Sequence, residues 1–345
     1  MDLYFSNEHK LHDPSFEIFE NGQHINYFES PNRIDRVLEE LKNYSWATVL
    51  PALTFDPSEI LRVHTAEYYT FLQTIYGRWV DSSPNESKIF NALYPSAHPA
   101  NFINKIPENI NGALGYYVKD LSAPILEGTF AASLSSANCA LSAAANVKDG
   151  AMVAVALCRP PGHHSGKRSC AGYCYFNNAA IAAASLAQNA KVAILDIDYH
   201  AGNGTQEIFY GTDQVLTISI HADPHQEYPY YAGFANETGA GAGLGFHHNI
   251  PLPQGTEPKE YLNALSSALS YIEEFKPTYL VLSAGFDTYK EDPLGSFKLD
   301  TDTYNEIGKR IRGLKTKTVV ILEGGYYLPA LGKNLVSLLE PLSEI

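Results

Sequence analysis

The stretch Asp196-Ile197-Asp198-Tyr199-His200 closes an apolar run, Val192-Ala193-Ile194-Leu195, with two carboxylates and an imidazole. Such a run reads as a buried strand that delivers metal ligands to its C-terminal edge. Asp198 and His200 stand two apart, so both side chains turn to one side of an extended chain. Asp287, just past the apolar run 279–283, completes a three-ligand set with an open coordination position. A divalent ion held there polarises a carbonyl and acidifies a bound water. His163 and His164, fixed after Pro160-Pro161-Gly162, supply imidazoles that titrate near neutrality, as proton transfer requires. Asp196, one pleat back from Asp198, can orient one of these rings, and Asn203 the other. Tyr326 follows Gly324-Gly325, a turn flexible enough to bring a phenol to a developing oxyanion.

Placing these groups together requires a regular scaffold. Apolar alternation or runs predict strands at 3–5, 151–158, 192–197, 215–220, 279–283 and 319–322. Apolar residues at 34, 37, 38 and 41 predict a helix capped by Asn32, and helices are also read at 131–147, 179–187, 261–272 and 304–314. The helix at 131–147 is so rich in Ala and Ser that it must lie close against a neighbour. This alternation predicts an α/β fold: one domain, 1–345, with a central, mostly parallel sheet flanked by helices on both faces. Ligands of such sheets bind at the carboxyl ends of the strands, so the loops from Arg159, Asp198, His221, Ala284 and Glu323 are expected to meet in one crevice. Between 81 and 128, prolines at 84, 95, 99, 107 and 124 and frequent asparagines interrupt any sustained helical or strand period. This insertion reads as a lid, binding loop or assembly surface.

Composition narrows the function classes. A formal charge of -14 and a pI near 5.3 exclude a nucleic-acid partner and would attract cations. Residues 1–8 lack the basic and apolar segments of a signal peptide, and no run approaches bilayer length, so a soluble cytoplasmic protein with no membrane partner is expected. Cys139, Cys158, Cys170 and Cys174 form no disulfide framework and no second pair to close a zinc knuckle. His9 and His12 have no supporting carboxylate or thiol at ligand spacing and read as structural.

Five segments together carry a resemblance. They are Arg159-Pro-Pro-Gly-His163-His164, Gly172-Tyr173-Cys-Tyr-Phe176-Asn177-Asn178, Asp196-Ile-Asp198-Tyr-His200-Ala-Gly-Asn203-Gly-Thr, Ser283-Ala-Gly-Phe-Asp287 and Glu323-Gly-Gly-Tyr326. The chain resembles the arginase-deacetylase superfamily, and within it the histone deacetylase-like amidohydrolases and bacterial acetylpolyamine amidohydrolases. The resemblance implies that fold, a zinc ion on Asp198, His200 and Asp287, His164 as general base and acid, and His163 as its electrostatic partner buttressed by Asp196. It implies Tyr326 as the electrophilic donor, channel walls from Tyr173 and Tyr228, and a backbone carbonyl at Gly172 for the substrate chain. It further implies a monovalent cation, K+, near the zinc, with Asp196, Asp198 and Ser219 as matching positions. Asn203 stands where some relatives carry aspartate, which would lower the basicity of His164.

The implied reaction is hydrolysis of N-acetylated polyamines or diamines to acetate and a free amine, with protein lysine deacetylation as the alternative. The length of the 81–128 insertion favours a small cationic substrate and a homodimer, with Glu108, then Asp120, meeting a distal ammonium. Ferrous iron or manganese would suit the same ligands. A two-metal ureohydrolase would share the fold but needs further bridging carboxylates close to Asp287, and the next acidic residue is Glu291.

Overall fold

The computed structural model describes residues 1–19, 22–86, 91–95 and 105–344. Its strands are β1 (Asp2–Phe5), β2 (Glu17–Ile18), β3 (His24–Ile25), β4 (Thr48–Pro51), β5 (Val153–Ala156), β6 (Val192–Asp196), β7 (Val215–Ala222), β8 (His247–Leu252), β9 (Tyr279–Ala284) and β10 (Lys317–Leu322). The helices are α1 (Asn32–Leu41), α2 (Ala66–Ser82), α3 (Ile110–Tyr117), α4 (Thr129–Lys148), α5 (Asn178–Leu186), α6 (Asn203–Phe209), α7 (Pro258–Phe275), α8 (Thr301–Gly313) and α9 (Leu328–Leu342). The main sheet runs β4-β1-β5-β10-β9-β6-β7-β8, and every pairing in it is parallel. All its carboxyl ends therefore lie along one edge, and β5, β10, β9, β6 and β7, whose following loops carry the chemistry, are consecutive neighbours.

Period-2 alternation gives the sheet two different faces. On one, Val153, Val155, Ala193, Leu195, Leu280 and Leu282 pack with α1, α7, α8 and α9. On the other, Ala154, Ala156, Val192 and Ile194 pack with α2, α3, α4 and α5. Small residues meet small residues there: Ala140, Ala143 and Ala144 of α4 are wholly or almost wholly buried, which is the close approach expected of that helix.

Three expectations need correction. Asn32 does not cap α1; Pro31 occupies the cap position and makes no side-chain cap bond, so packing of Ile34, Val37 and Leu41 holds the helix. The insertion contains a helix after all: Asn109 accepts hydrogen bonds from the amides of Asn111 and Gly112 and starts α3, which buries Ala113, Leu114 and Tyr117. Gly112 and Gly115 dilute the helical signal there, and burial supplies what propensity lacks. Elsewhere in the insertion Leu93 bridges Ile125, whereas residues 87–90 and 96–104 lie outside the described residues. Finally, periodicity does not mark α2, α6, α9, β4 and β8; at the sheet's edges, β4 is only four residues long and mostly exposed, and β8 opens on the polar run His247-His248-Asn249, so neither reads as an apolar strand. No described helix is long and apolar enough to cross a membrane.

Candidate active site

Asp198 and His200 lie just beyond the end of β6, and Asp287 lies just beyond β9, the strand paired with it. Both carboxylates are fully buried. Both are fixed by backbone amides: Asp198 Oδ2 accepts from Gly324 at 2.9 Å and Oδ1 from His200 at 3.0 Å, and Asp287 Oδ1 accepts from Tyr199 at 2.8 Å. The His200 ring faces both carboxylates, with Nδ1 3.3 Å from Asp198 Oδ1 and 3.0 Å from Asp287 Oδ2. One ligand atom from each residue lies within 4.8 Å of the others. Two carboxylates and an imidazole converging in this way fit a divalent cation. The electrostatics agree. Burial and the Asp198 charge push Asp287 up to about 7. Burial would hold His200 neutral, but hydrogen bonding and charge from Asp198 and Asp287 outweigh it and raise it to about 10. Both shifts record buried negative charge at a point that favours a cation. Gly324 is required for the close approach, since a Cβ there would lie 2.6 Å from both Asp198 Oδ2 and Asp287 Oδ2.

The imidazole pair follows β5. His163 Nδ1 lies 3.0 Å from Asp196 Oδ2, and His164 Nδ1 lies 2.7 Å from Asn203 Oδ1 at the start of α6. Each ring thus has the polar partner that the family resemblance implied, a choice the sequence spacing alone left open. The ring centroids are only 3.9 Å apart, yet their charges are driven in opposite directions. Burial opposes protonation of His163, but Asp198 and Asp196 overcome it and hold its pKa well above the ordinary value. A dication on Asp198 would cancel part of that pull, leaving Asp196 as the lasting partner. For His164, burial and then the charges of His163 and His200 hold the pKa well below the ordinary value. Because the Asn203 carbonyl accepts, the neutral His164 carries its proton on Nδ1 and leaves Nε2 free. Glu323 fixes this loop from beneath: Oε2 accepts from the amides of Gly162 at 2.7 Å and His163 at 3.2 Å.

Tyr326 is almost completely buried, with the Arg33 guanidinium 5.0 Å above its ring. Arg33 donates to the carbonyls of Gly325, at 2.7 Å, and Glu323, so it grips the turn that carries the phenol. Tyr173 stands 5.6 Å from the Tyr326 ring and donates its hydroxyl to Glu17 at 2.6 Å. Tyr228 packs 4.9 Å from His164 and 6.0 Å from His200, centroid to centroid. Asp120 joins the walls: Oδ2 accepts from the Tyr228 hydroxyl at 2.7 Å and the Gly172 amide at 2.8 Å, and Oδ1 from Ser122. Gly172 has φ 51°, and a Cβ on it would come within 2.5 Å of the His164 ring. Ser219 sits beside Asp196 across the β6–β7 pairing. Glu108 is elsewhere: its side chain is 85% exposed and paired with Lys105 at 2.9 Å.

Sequence reasoning did not single out Glu17, Glu29, Arg33 or Asp292. Glu29 is buried between Arg33, at 2.8 Å, and Arg159, at 3.0 Å. Only the burial of these ionisable groups, complete or nearly so, marks them, and burial of such a residue carries no spacing signature.

Residues 27–342 match the histone deacetylase domain. The chain belongs to that family. It is 44% identical over 338 residues to acetylpolyamine amidohydrolase 1 of Pseudomonas aeruginosa, covering 97% of each chain. To the acetylpolyamine amidohydrolase of Mycoplana ramosa it is 36% identical, covering 99% of each. The crystal structure of an acetylpolyamine aminohydrolase from Burkholderia pseudomallei superposes with a TM-score of 0.94 at 36% identity, covering 99% of this chain and 98% of the other. Histone deacetylase 8 of Arabidopsis thaliana is 31% identical, covering all of this chain and 88% of its own. The fold expected from the sequence is thus the family's.

Proposed function

We propose that this chain is a metal-dependent deacetylase that hydrolyses small N-acetylated polyamines or diamines to acetate and the free amine. The observation that carries this reading is a convergent Asp198, His200 and Asp287 set beside two imidazoles held by different partners, His163 by Asp196 and His164 by Asn203. Those three residues would hold zinc, with ferrous iron or manganese chemically acceptable to the same donors. When bound, such an ion polarises the acetamide carbonyl and acidifies the attacking water. His164, neutral with Nε2 free, takes the proton from that water and later delivers it to the departing amine. His163, held by Asp196, places positive charge beside the negative charge that develops. The Tyr326 hydroxyl, kept protonated by burial, donates to the carbonyl oxygen as it becomes an oxyanion.

Tyr173 and Tyr228 suit a narrow methylene chain, with the Gly172 carbonyl available to it, and the net charge of -14 draws a cation. Of the two carboxylates expected to meet a distal ammonium, Asp120 lies beside both walls and is favoured, whereas Glu108 would first have to release Lys105. The paired positions of Asp196 and Ser219, with Asp198 beyond, support a monovalent cation such as K+ there. In this reading residues 81–128 narrow the entrance and form a homodimer interface, to which exposed Ile106 contributes.

Rates on N-acetylputrescine, N-acetylcadaverine, N-acetylspermidine and an acetyl-lysine peptide, with metal content measured, test the proposal. Faster turnover of the small amines, abolished by a chelator and restored by one equivalent of zinc, is expected. Faster turnover of the peptide would instead assign a protein lysine deacetylase. No turnover of any of the four by metal-loaded protein would overturn the reading.

A further inference from the structure

Five residues beyond Asp287, Asp292 is almost wholly buried, 6% exposed, and no salt-bridge partner neutralises it among the described residues. Its oxygens are aimed at backbone. Oδ2 accepts from two consecutive amides, Tyr326 at 2.6 Å and Tyr327 at 3.0 Å, and Oδ1 accepts from Leu294 at 3.0 Å. The loop that carries it is itself fixed: the Asp292 amide donates to the Tyr289 carbonyl at 2.9 Å, and Tyr289 stacks on Tyr327 with centroids 5.7 Å apart.

Tyr326 follows two glycines, and Gly325 has φ 118°, so the local chain does little to hold the phenol in place. Two grips supply the constraint. Arg33 takes the carbonyls of Glu323 and Gly325 on one side of the turn, and Asp292 takes the amides of Tyr326 and Tyr327 on the other. Because Asp292 and Asp287 share one loop, the second grip registers the phenol against the metal ligands. The position demands a carboxylate. Three N–H donors point at two oxygens, and an amide would offer one acceptor and turn an NH2 group toward a donor. The charge also lies at the start of α9, where the helix dipole favours an anion and offsets part of the cost of burial.

We propose that Asp292 is a positioning residue for catalysis, acting through Tyr326 by clamping the backbone that carries it. The proposal rests on the deacetylase reading above. It is tested by measuring kcat, KM and metal content for the wild-type enzyme, Asp292→Asn, Tyr326→Phe and the double variant on the best acetylated amine. Asp292→Asn is expected to lower kcat about 10–100-fold, with metal content unchanged and KM within about threefold. In the Tyr326→Phe background the same change should add less than about threefold, because the group it positions is already gone. Glu291→Gln, next to it and exposed, should leave kcat unchanged.

An equal loss in both backgrounds would overturn the proposal, as would wild-type kcat in Asp292→Asn or a loss explained by missing metal. Should Asp292→Asn not fold, hydrogen exchange on the wild-type protein tests the clamp instead. The amides of Tyr326 and Tyr327 should exchange slowly, and exchange at the rate of free amides would overturn the clamp. Failure of the deacetylase reading is seen separately, as a wild-type enzyme with no turnover, and the exchange measurement still tests the clamp in that case.

Discussion

Replacing Tyr326 with Phe removes a single oxygen from an almost fully buried ring. Burial raises the phenol pKa well above its ordinary value against the opposing charge of Arg33, so the group is a proton donor throughout the working pH range. Among the described residues no hydrogen bond ends on that hydroxyl, so its removal leaves no protein group unpaired, and Arg33 keeps a ring beneath it at 5.0 Å. The ground state should hardly notice the change. For a chain of this length the entropy of unfolding is about 0.7 kcal/mol/K, so a stability change within about 0.5 kcal/mol moves Tm by less than about 1 °C. The transition state should notice it strongly. Loss of one oriented oxyanion donor costs about 10²–10³ in kcat, or about 2.7–4 kcal/mol. Steady-state acetate release, with metal content and Tm measured on the same preparations, gives all three quantities. If kcat of the metal-loaded variant stays within about threefold of wild type, the phenol is not the oxyanion donor. A large loss accompanied by a Tm drop of several degrees would show that the hydroxyl is structural.

The remaining predictions concern buried charge. Glu29→Ala leaves the guanidinium groups of Arg33 and Arg159, both fully buried, without their shared carboxylate. Breaking a buried pair of this kind costs about 3–5 kcal/mol, which lowers Tm by about 4–7 °C here, and calorimetry showing an unchanged Tm would refute the assignment. Burial lifts Glu17 to about 7 despite its bond from Tyr173, so the folded state holds this proton more tightly than the unfolded chain does. Its contribution to stability is therefore present below the ordinary carboxylate value and is lost as the pH rises toward about 7. Tm curves of wild type and Glu17→Gln should diverge over that window in favour of the variant at higher pH, and parallel curves would count against the shift.

The sequence by itself determined the strands that matter and the chemistry at their ends. Apolar runs that stop at Asp198, His163 and Asp287 encode both the strand and its terminus locally, and parallel pairing then forces those termini onto one edge. It also marked Gly324-Gly325 as the turn before Tyr326, whereas the close approach that excludes a Cβ at Gly324 and at Gly172 is visible only in the structure. The tertiary structure made definite the pairing of His163 with Asp196 and of His164 with Asn203, which their separations left open and only the family resemblance implied. It alone turned Asp120 toward Tyr228 and Gly172, and Glu108 toward Lys105. It alone brought Arg33 and Asp292 to the turn before Tyr326, one from 293 positions upstream and one from 34. The physical reason is common to these cases. A strand or helix face repeats with a fixed period and so leaves a pattern in the sequence. A side chain that recognises backbone amides or carbonyls across the fold repeats with nothing, and its role exists only once packing has delivered it.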